Sequence, residues 1–443
     1  MKFQDLQRMF FGLKTIIVFF VFNITQISYP VTKLFLDTYY KMFYNNYLNL
    51  DFDFSSSTDN ITKVYSVLDT SLKTQIDNFE FKVGLCSLGE FGKIVSTSTK
   101  SFVWQKTIPY PNIEFLPWLS ECYAKYSYSF DTFIIPYTKF SVEKILLSVT
   151  LGKQRKEFVE GLVVGDNKIG YDGVSVNFDF GKYFYINSLI SRINSVSGFQ
   201  NSSTFDLYSF LMGSKFYSGY DFGLNCVIED DRIKGDKKNF YEIFVKQEHE
   251  NFEYIFEYVI QQAKTLAESY SGNLWYFRGK VRGENKYLGK SSAAVVWLLS
   301  SSKFLPTFTK MYDYMEPYGF GEFAKANTRT IFFDLPDGYS GVFVLGFDLN
   351  VNPLRKLYCD FEYYLFSSPE APDDKPDPSS TEKTLGAKKA IALEYGFSAK
   401  YDISELIVAK FSYSIFNPLK NVYFDKPKGD PATKISFSIE TKF

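Results

Sequence analysis

Phe252-Glu253-Tyr254-Ile255-Phe256-Glu257-Tyr258-Val259-Ile260-Gln261 alternates in a way that few folds can use. At period two, Phe252, Tyr254, Phe256, Tyr258 and Ile260 share one face of an extended strand, while Glu253, Glu257 and Gln261 share the other. The pattern recurs along the chain. Trp275, Phe277 and Val281 oppose Arg278, Lys280 and Arg282; Val174, Val176, Phe178 and Phe180 oppose Gly173, Ser175, Asn177 and Asp179. Leu357, Phe361, Tyr363 and Leu365 oppose Lys356, Asp360 and Glu362, and Ile391, Leu393, Tyr395 and Phe397 oppose Glu394, Ser398 and Lys400. Strands with one face in lipid and one in water have this aromatic-heavy alternation. A soluble sandwich also alternates, but it has no need of so many rings on every outer face.

Composition agrees: aromatics make up 19%, with 48 Phe and 34 Tyr, yet mean hydropathy is only −0.15. A lipid-facing band, aromatic girdles and a polar interior produce that mixture. The connections supply a second test, because an outer-membrane barrel alternates short turns with long outer loops. Long segments are read at Glu229–Lys238, Lys264–Gly272, Ser301–Tyr339, Ser367–Thr384 and Asn417–Pro431. Tight ones are read at Glu248–Asn251, Glu284-Asn285, Asn350–Pro353 and Tyr401-Asp402. The two series interleave. Some 16 to 18 strand candidates follow, and bacterial barrels require an even number. Leu48–Phe54 reads as a strand, and Asn60–Thr74 is left open between loop, plug and short helix.

Ile435, Phe437, Ile439 and the terminal Phe443 share a face of the last strand. A final aromatic on an alternating strand resembles the C-terminal signature through which barrel-insertion machinery receives bacterial outer-membrane proteins. At the other end, Lys2, Arg8 and Lys14 flank a short apolar stretch, Thr15–Phe22, followed by polar Asn23, Thr25 and Gln26, the order of a secretory signal. Residues 1–28 are therefore read as a signal peptide. Residues 29–443 are read as a single all-β domain, one antiparallel transmembrane β-barrel with long outer loops at 301–339 and 367–384.

The chain is close to neutral, at formal net charge −1, which argues against a nucleic-acid partner. Its only histidine, His249, leaves no room for histidine-based hydrolytic chemistry or a multi-histidine metal site. Cys86, Cys122, Cys226 and Cys359 lie far apart and form no CxxC pair, so packed or lipid-facing thiols are expected, with one bridge as the lesser alternative. Neither an enzyme nor a cofactor is expected.

Several short motifs, in order, resemble the alginate-export porin family. Glu121-Cys122-Tyr123 stands where that family has Glu-Ala-Tyr, Leu151-Gly152-Lys153-Gln154 resembles its Gly-Arg-Gln, and Tyr171-Asp172-Gly173-Val174 resembles its Phe-Asp-Gly-Val. Glu257-Tyr258-Val259-Ile260-Gln261 is similar to Glu-Tyr-x-x-Gln, and Tyr413–Pro418 to Tyr-Ser-His-Phe-Phe-Pro. The resemblance spans roughly residues 115–443. It implies a monomeric outer-membrane barrel of about 18 strands with a basic lumen that passes an anionic polysaccharide. Lys153 keeps the charge of the family's arginine but loses the planar fork that grips carboxylates.

In a channel the working groups are the charges that line the pore. Arg278, Lys280 and Arg282 form a cationic stripe on one strand face, with Glu253 and Glu257 of the preceding strand positioned to neutralise it. Lys153 and Arg155 are a second cationic point near the outer end of their strand, with a solvated mouth as the simpler reading. The Glu229–Arg232 run reads as a hydrated loop. The expected function is passage of small or polymeric anionic solutes across the outer membrane. A non-selective porin and a surface adhesin working through its outer loops are the alternatives. If 301–339 folds inward as a constriction, transport gains over adhesion.

Overall fold

The computed structural model describes residues 33–49, 61–91, 115–130, 133–134, 141–142, 145–166, 168, 170–181, 183–193, 204–216, 219–266, 268–301, 303–309, 321, 341–367, 391–420 and 430–443. The signal segment 1–28 lies outside them, as do Leu50–Phe54 and most of the 301–339 and 367–384 loops.

The alternating segments become strands β1 (Lys33–Leu48), β2 (Ile61–Ile76), β3 (Phe79–Phe91), β4 (Phe115–Phe130), β5 (Phe133–Ile134), β6 (Ser141–Val142), β7 (Ile145–Gln154), β8 (Tyr171–Phe180), β9 (Phe184–Ile193) and β10 (Phe205–Phe216). They continue as β11 (Tyr220–Asp231), β12 (Asp236–His249), β13 (Phe252–Lys264), β14 (Ser269–Asn285), β15 (Gly289–Ser300), β16 (Phe343–Leu354), β17 (Leu357–Ser367), β18 (Ile391–Asp402), β19 (Ile407–Lys420) and β20 (Ala432–Lys442). Leaving aside the β5–β6 hairpin, the others form one 18-stranded sheet. Its neighbours are antiparallel, and β1 pairs with both β2 and β20, which closes the barrel. Phe443 and Thr38 exchange amide–carbonyl bonds of 2.8 and 3.0 Å at that seam. Closure removes the open edge that would otherwise template aggregation.

The faces of β13 fall as the sequence predicts: Phe252, Tyr254, Phe256, Tyr258 and Ile260 point outward, while Glu253, Glu257 and Gln261 are buried inward. Outward aromatic rings stack across strands, as with Tyr258 and Trp275 at 4.0 Å between centroids. The exposed apolar side chains recur around the wall, among them Tyr208, Phe210, Tyr241, Phe347, Phe361, Tyr395 and Phe437. A band of that size is stable only against lipid.

Strand ends differ from expectation by a few residues. β14 reaches 17 residues, whereas ~9–11 suffice to cross the hydrocarbon core. The added residues are polar rungs beyond the apolar band, where hydrophobic alternation no longer marks them. Thus Glu284 and Asn285 pair with Lys290 and Gly289, and Tyr401 and Asp402 pair with Ala409 and Val408. Asn350–Pro353 is likewise strand rather than turn. Register shifts between Val351 and Leu354, and Arg355-Lys356 make the turn. Pro353 has no N–H to donate, so it sits where the ladder is already irregular. Of the stretch Asn60–Thr74, the described part from Ile61 onward is strand β2, paired with β1 and, from Val64, with β3.

Candidate functional site: the lumen and its inward loops

Two connections from the long-loop end run into the barrel. The segment after β7 starts at Arg155, which donates to Asp69 of β2 at 2.7 Å and to Asp166 of its own loop at 3.0 Å. Burial disfavours the Asp166 charge, but its bonds to Arg155 and the nearby Lys168 outweigh this and hold the carboxyl below its ordinary range. Between these anchors Phe158, Leu162, Val163 and Val164 are buried. Val159 takes φ 54°, a conformation that β-branched side chains resist and that tight packing must hold.

The second segment, 303–309, follows β15. Gln261 of β13 accepts from the Leu305 amide at 2.7 Å, and Glu229 of β11 accepts from the Thr307 amide at 3.0 Å. Lys238 of β12 donates to the Leu305 carbonyl at 2.7 Å and the Thr307 hydroxyl at 2.9 Å. The two loops clasp each other: Val164 and Phe308 form a parallel bridge, and the Gly165 amide donates to the Phe308 carbonyl at 2.8 Å. The Thr309 hydroxyl donates to the Gly161 carbonyl at 3.2 Å and the Tyr171 hydroxyl to the Gly165 carbonyl at 2.6 Å. The Phe308 ring meets Phe205 edge-on at 5.3 Å. Further along the same connection, Gly321 lies against the Glu394 carboxylate of β18.

The clasp rests on an apolar stretch of the inner wall. Leu189, Leu207, Val227, Phe240, Phe244, Ile255, Val259, Leu274, Val296 and Leu298 join the loop residues in one buried cluster. Ile255 and Val259 share the inward face of β13 with Glu253 and Glu257. Apolar residues on an otherwise polar face were the signal, present in the sequence, that something packs inside.

The cationic stripe is on the inward face of β14, with Trp275, Phe277 and Val281 outward. Its charges are not all free. Glu253 accepts from Arg278 at 2.8 Å and also pairs with Arg282. Arg278 approaches Glu160 of the first inward loop at 3.7 Å, so the stripe begins at the clasp and descends toward the short-turn end. Lys280 is cross-strand from Ala294, which in turn faces Asp348 of β16. Glu257 is wholly buried beside Glu242, which accepts from Asn225 at 2.8 Å. It therefore belongs to the wall beneath the loops and does not face an open bore.

Three other expectations change. Lys153 shares the outward face of β7 with Val149 and Leu151 and pairs with Asp172 at 3.0 Å, so it stands outside the lumen. Arg155 is inside, but as an anchor of the loop. Glu229 and Asp231 are buried at the end of β11, not hydrated, because the 303–309 segment lies over that end. The remaining placements follow expectation: His249 is exposed at a turn, and among the described residues the four cysteines are free. The motifs at Glu121-Cys122-Tyr123, Leu151–Gln154 and Tyr171–Val174 lie on three adjacent strands in register, Cys122 opposite Lys153 and Lys153 opposite Asp172.

No protein-family model and no curated protein matches the sequence. Solved structures do match the fold. Acinetobacter baumannii OccAB1 superposes with a TM-score of 0.58 at 11% identity, covering 94% of this chain and 99% of that one. A BenF-like porin from Pseudomonas fluorescens Pf-5 gives 0.58 at 8% identity over 93% and 100%, and Pseudomonas aeruginosa OccK3 gives 0.55 at 8% over 93% and 96%. Closed 18-stranded architecture, lipid-facing belt and these likenesses together make the chain a bacterial outer-membrane β-barrel of the porin fold. These matching structures are Occ proteins and a BenF-like porin rather than alginate-export porins, so the likeness carries the outer-membrane barrel fold and nothing narrower.

Proposed function

We propose that the chain is an outer-membrane channel for small anionic solutes, with the clasped loops setting its bore and Arg278, Lys280 and Arg282 its charge preference. The observation that carries this is the contact of Arg278 with Glu160: the stripe starts at the edge of the clasp, where a passing solute meets the wall. A cation there attracts a carboxylate at ~4 Å by roughly 1–4 kcal/mol for effective dielectric constants of 80 down to 20, enough to favour anions and weak enough to release them. Loops that pack across the inside of the barrel favour small solutes over a polymer. Closure between β1 and β20 gives a single chain a complete bore of its own. A non-selective porin is the second reading, favoured by Glu253 lying between Arg278 and Arg282. The test is planar-bilayer recording of the R278Q/K280Q/R282Q variant in a salt gradient. The zero-current potential should move toward cation preference with the barrel still folded. An unchanged potential removes the anion channel in favour of the non-selective one.

A further inference from the structure

The outer wall carries a charged row that the transport reading does not use. Cross-strand register places Arg192 opposite Asp206, Asp206 opposite Asp230, Asp230 opposite Lys237, and Lys237 opposite Lys264. These residues share the outward faces of β9 to β13, at the long-loop end. The row spans five strands, roughly 19 Å at the usual strand spacing, and Arg232 joins it from the turn after β11. One rung below, toward the membrane, come exposed Ile190 and Tyr208, followed by Phe210, Tyr241 and Ile260 of the apolar belt. The charges thus lie where the hydrocarbon ends and headgroups begin.

Four cations stand against two acids in this row. The Asp206 carboxylate is only 4% exposed, because Arg192 and Arg232 close over it. Arg192 donates to it at 2.7 and 3.1 Å, and Arg232 through Nε at 2.6 Å. The two arginine side chains are themselves 56% and 53% exposed. One carboxylate fixes two forks side by side and leaves their remaining N–H groups facing outward, a preorganised arrangement for a tetrahedral dianion. The neighbouring pair on the same outer face, Lys153 and Asp172, is matched one to one and has no such surplus.

We infer that the Arg192–Asp206–Arg232 cluster, with Lys237 and Lys264, is a binding site for the phosphate of a phosphorylated glycolipid in the outer leaflet, its acyl chains lying on the Ile190–Tyr208–Phe210 surface. The occupant is a lipid and not a free ion because the cations border a wall that lipid must cover. The site is independent of which solute the channel passes.

The test uses the folded protein in detergent micelles, titrated with purified lipid A and followed by native mass spectrometry and thermal unfolding. Wild-type protein should retain lipid A and gain thermal stability from it. R192Q/R232Q should bind about tenfold more weakly through loss of charge-assisted hydrogen bonds, with single-channel conductance unchanged. K237Q/K264Q, which leaves the Asp206 cluster intact, should weaken binding less and remains available if the arginine variant fails to insert. Dephosphorylated lipid A should bind wild type as weakly as lipid A binds R192Q/R232Q, and inorganic phosphate should not compete. Equal binding of lipid A by wild type and both variants overturns the inference. So does equal binding of the dephosphorylated lipid, or full competition by inorganic phosphate, which would make the cluster a simple ion site.

Discussion

Two arcs of the same inner wall obey different rules. From β9 to β15 the inward face alternates between polar residues and large apolar ones, and the inward loops cover it. From β19 through β1 to β4 the inward face carries charge pairs, Lys41 with Glu440 at 3.2 Å, Lys73 with Glu80 at 3.0 Å and Lys82 with Glu121 at 2.6 Å, beside a smaller apolar cluster of Val67 and Cys86 with Tyr39, Phe43 and Trp118. Tyr123 extends that ladder by donating to Glu80 at 2.8 Å. Both arcs present the same aromatic surface to lipid. The rule that a barrel strand is apolar outside and polar inside is therefore relaxed where protein packs against the inner wall. There large apolar residues such as Ile255 and Val259 alternate with Glu253 and Glu257 on the inward face, and the loop supplies the second half of a core.

The largest effect should come from separating the loops from their arc. Phe308 is buried between Tyr171, Phe205 and Val164. Truncation of such a ring costs ~3–5 kcal/mol, and Phe308 is the residue of segment 303–309 that bridges to the first inward loop at Val164 and Gly165. Phe308→Ala should therefore raise single-channel conductance severalfold while the heat-shifted gel band of a folded barrel persists. Unchanged conductance would mean that the loops do not limit the bore, and the contrast between the arcs would lose its functional meaning.

A smaller and more local effect separates lipid from loop as the source of apolar surroundings. Phe256 is the middle of the outward run on β13, and Val259 is buried on the inward face of the same strand. Phe256→Arg should destabilise the barrel by ~2–4 kcal/mol in a refolding titration, the cost of a cation facing lipid near the midplane. Val259→Arg should instead leave the barrel stable and loosen the loops, read as higher conductance. Equal loss of refolding stability in both would show that the inner arc is as essential to insertion as the outer belt.

How much of this the sequence discloses follows from the same contrast. The closed all-β barrel, the outward faces and the C-terminal seam were legible, because each follows from period-two alternation read strand by strand. The interleaving of long and tight connections holds only in part, since β11–β12 and β13–β14 are each joined by four residues where long segments were expected. The side of the stripe was legible too: Arg278, Lys280 and Arg282 oppose Trp275, Phe277 and Val281. What was not legible depends on segments distant in sequence coming together. Glu229 looks like a hydrated loop until Thr307, far along the chain, is placed on it. Arg155 looks like a mouth residue until Asp69 and Asp166 converge on it. Lys153 was placed wrongly for another reason: near a strand end its neighbours are mixed, and only the register with Asp172 fixes its face.

The smallest expected effect is the one that decides how the stripe works. Among the described residues, Glu253 bonds both ends of the stripe, accepting from Arg278 and Arg282 across the β13–β14 pair. Its side chain is 11% exposed against 28% and 34% for the two arginines, so water screens the cations more than the acid. Partly exposed pairs of this kind contribute ~0.2–1 kcal/mol each, and Glu253→Gln should leave folding nearly unchanged. The amide keeps a carbonyl to accept from Arg278 but removes the charge that cancels the stripe. If the stripe selects anions, the zero-current potential in a salt gradient should move further toward anion preference, opposite in sign to the shift for R278Q/K280Q/R282Q. If instead Glu253 and the arginines form only a structural ladder, the potential stays put while the melting temperature falls slightly. Opposite shifts from removing the acid and removing the cations would tie selectivity to net charge at the edge of the clasp, since both substitutions leave the bore itself untouched.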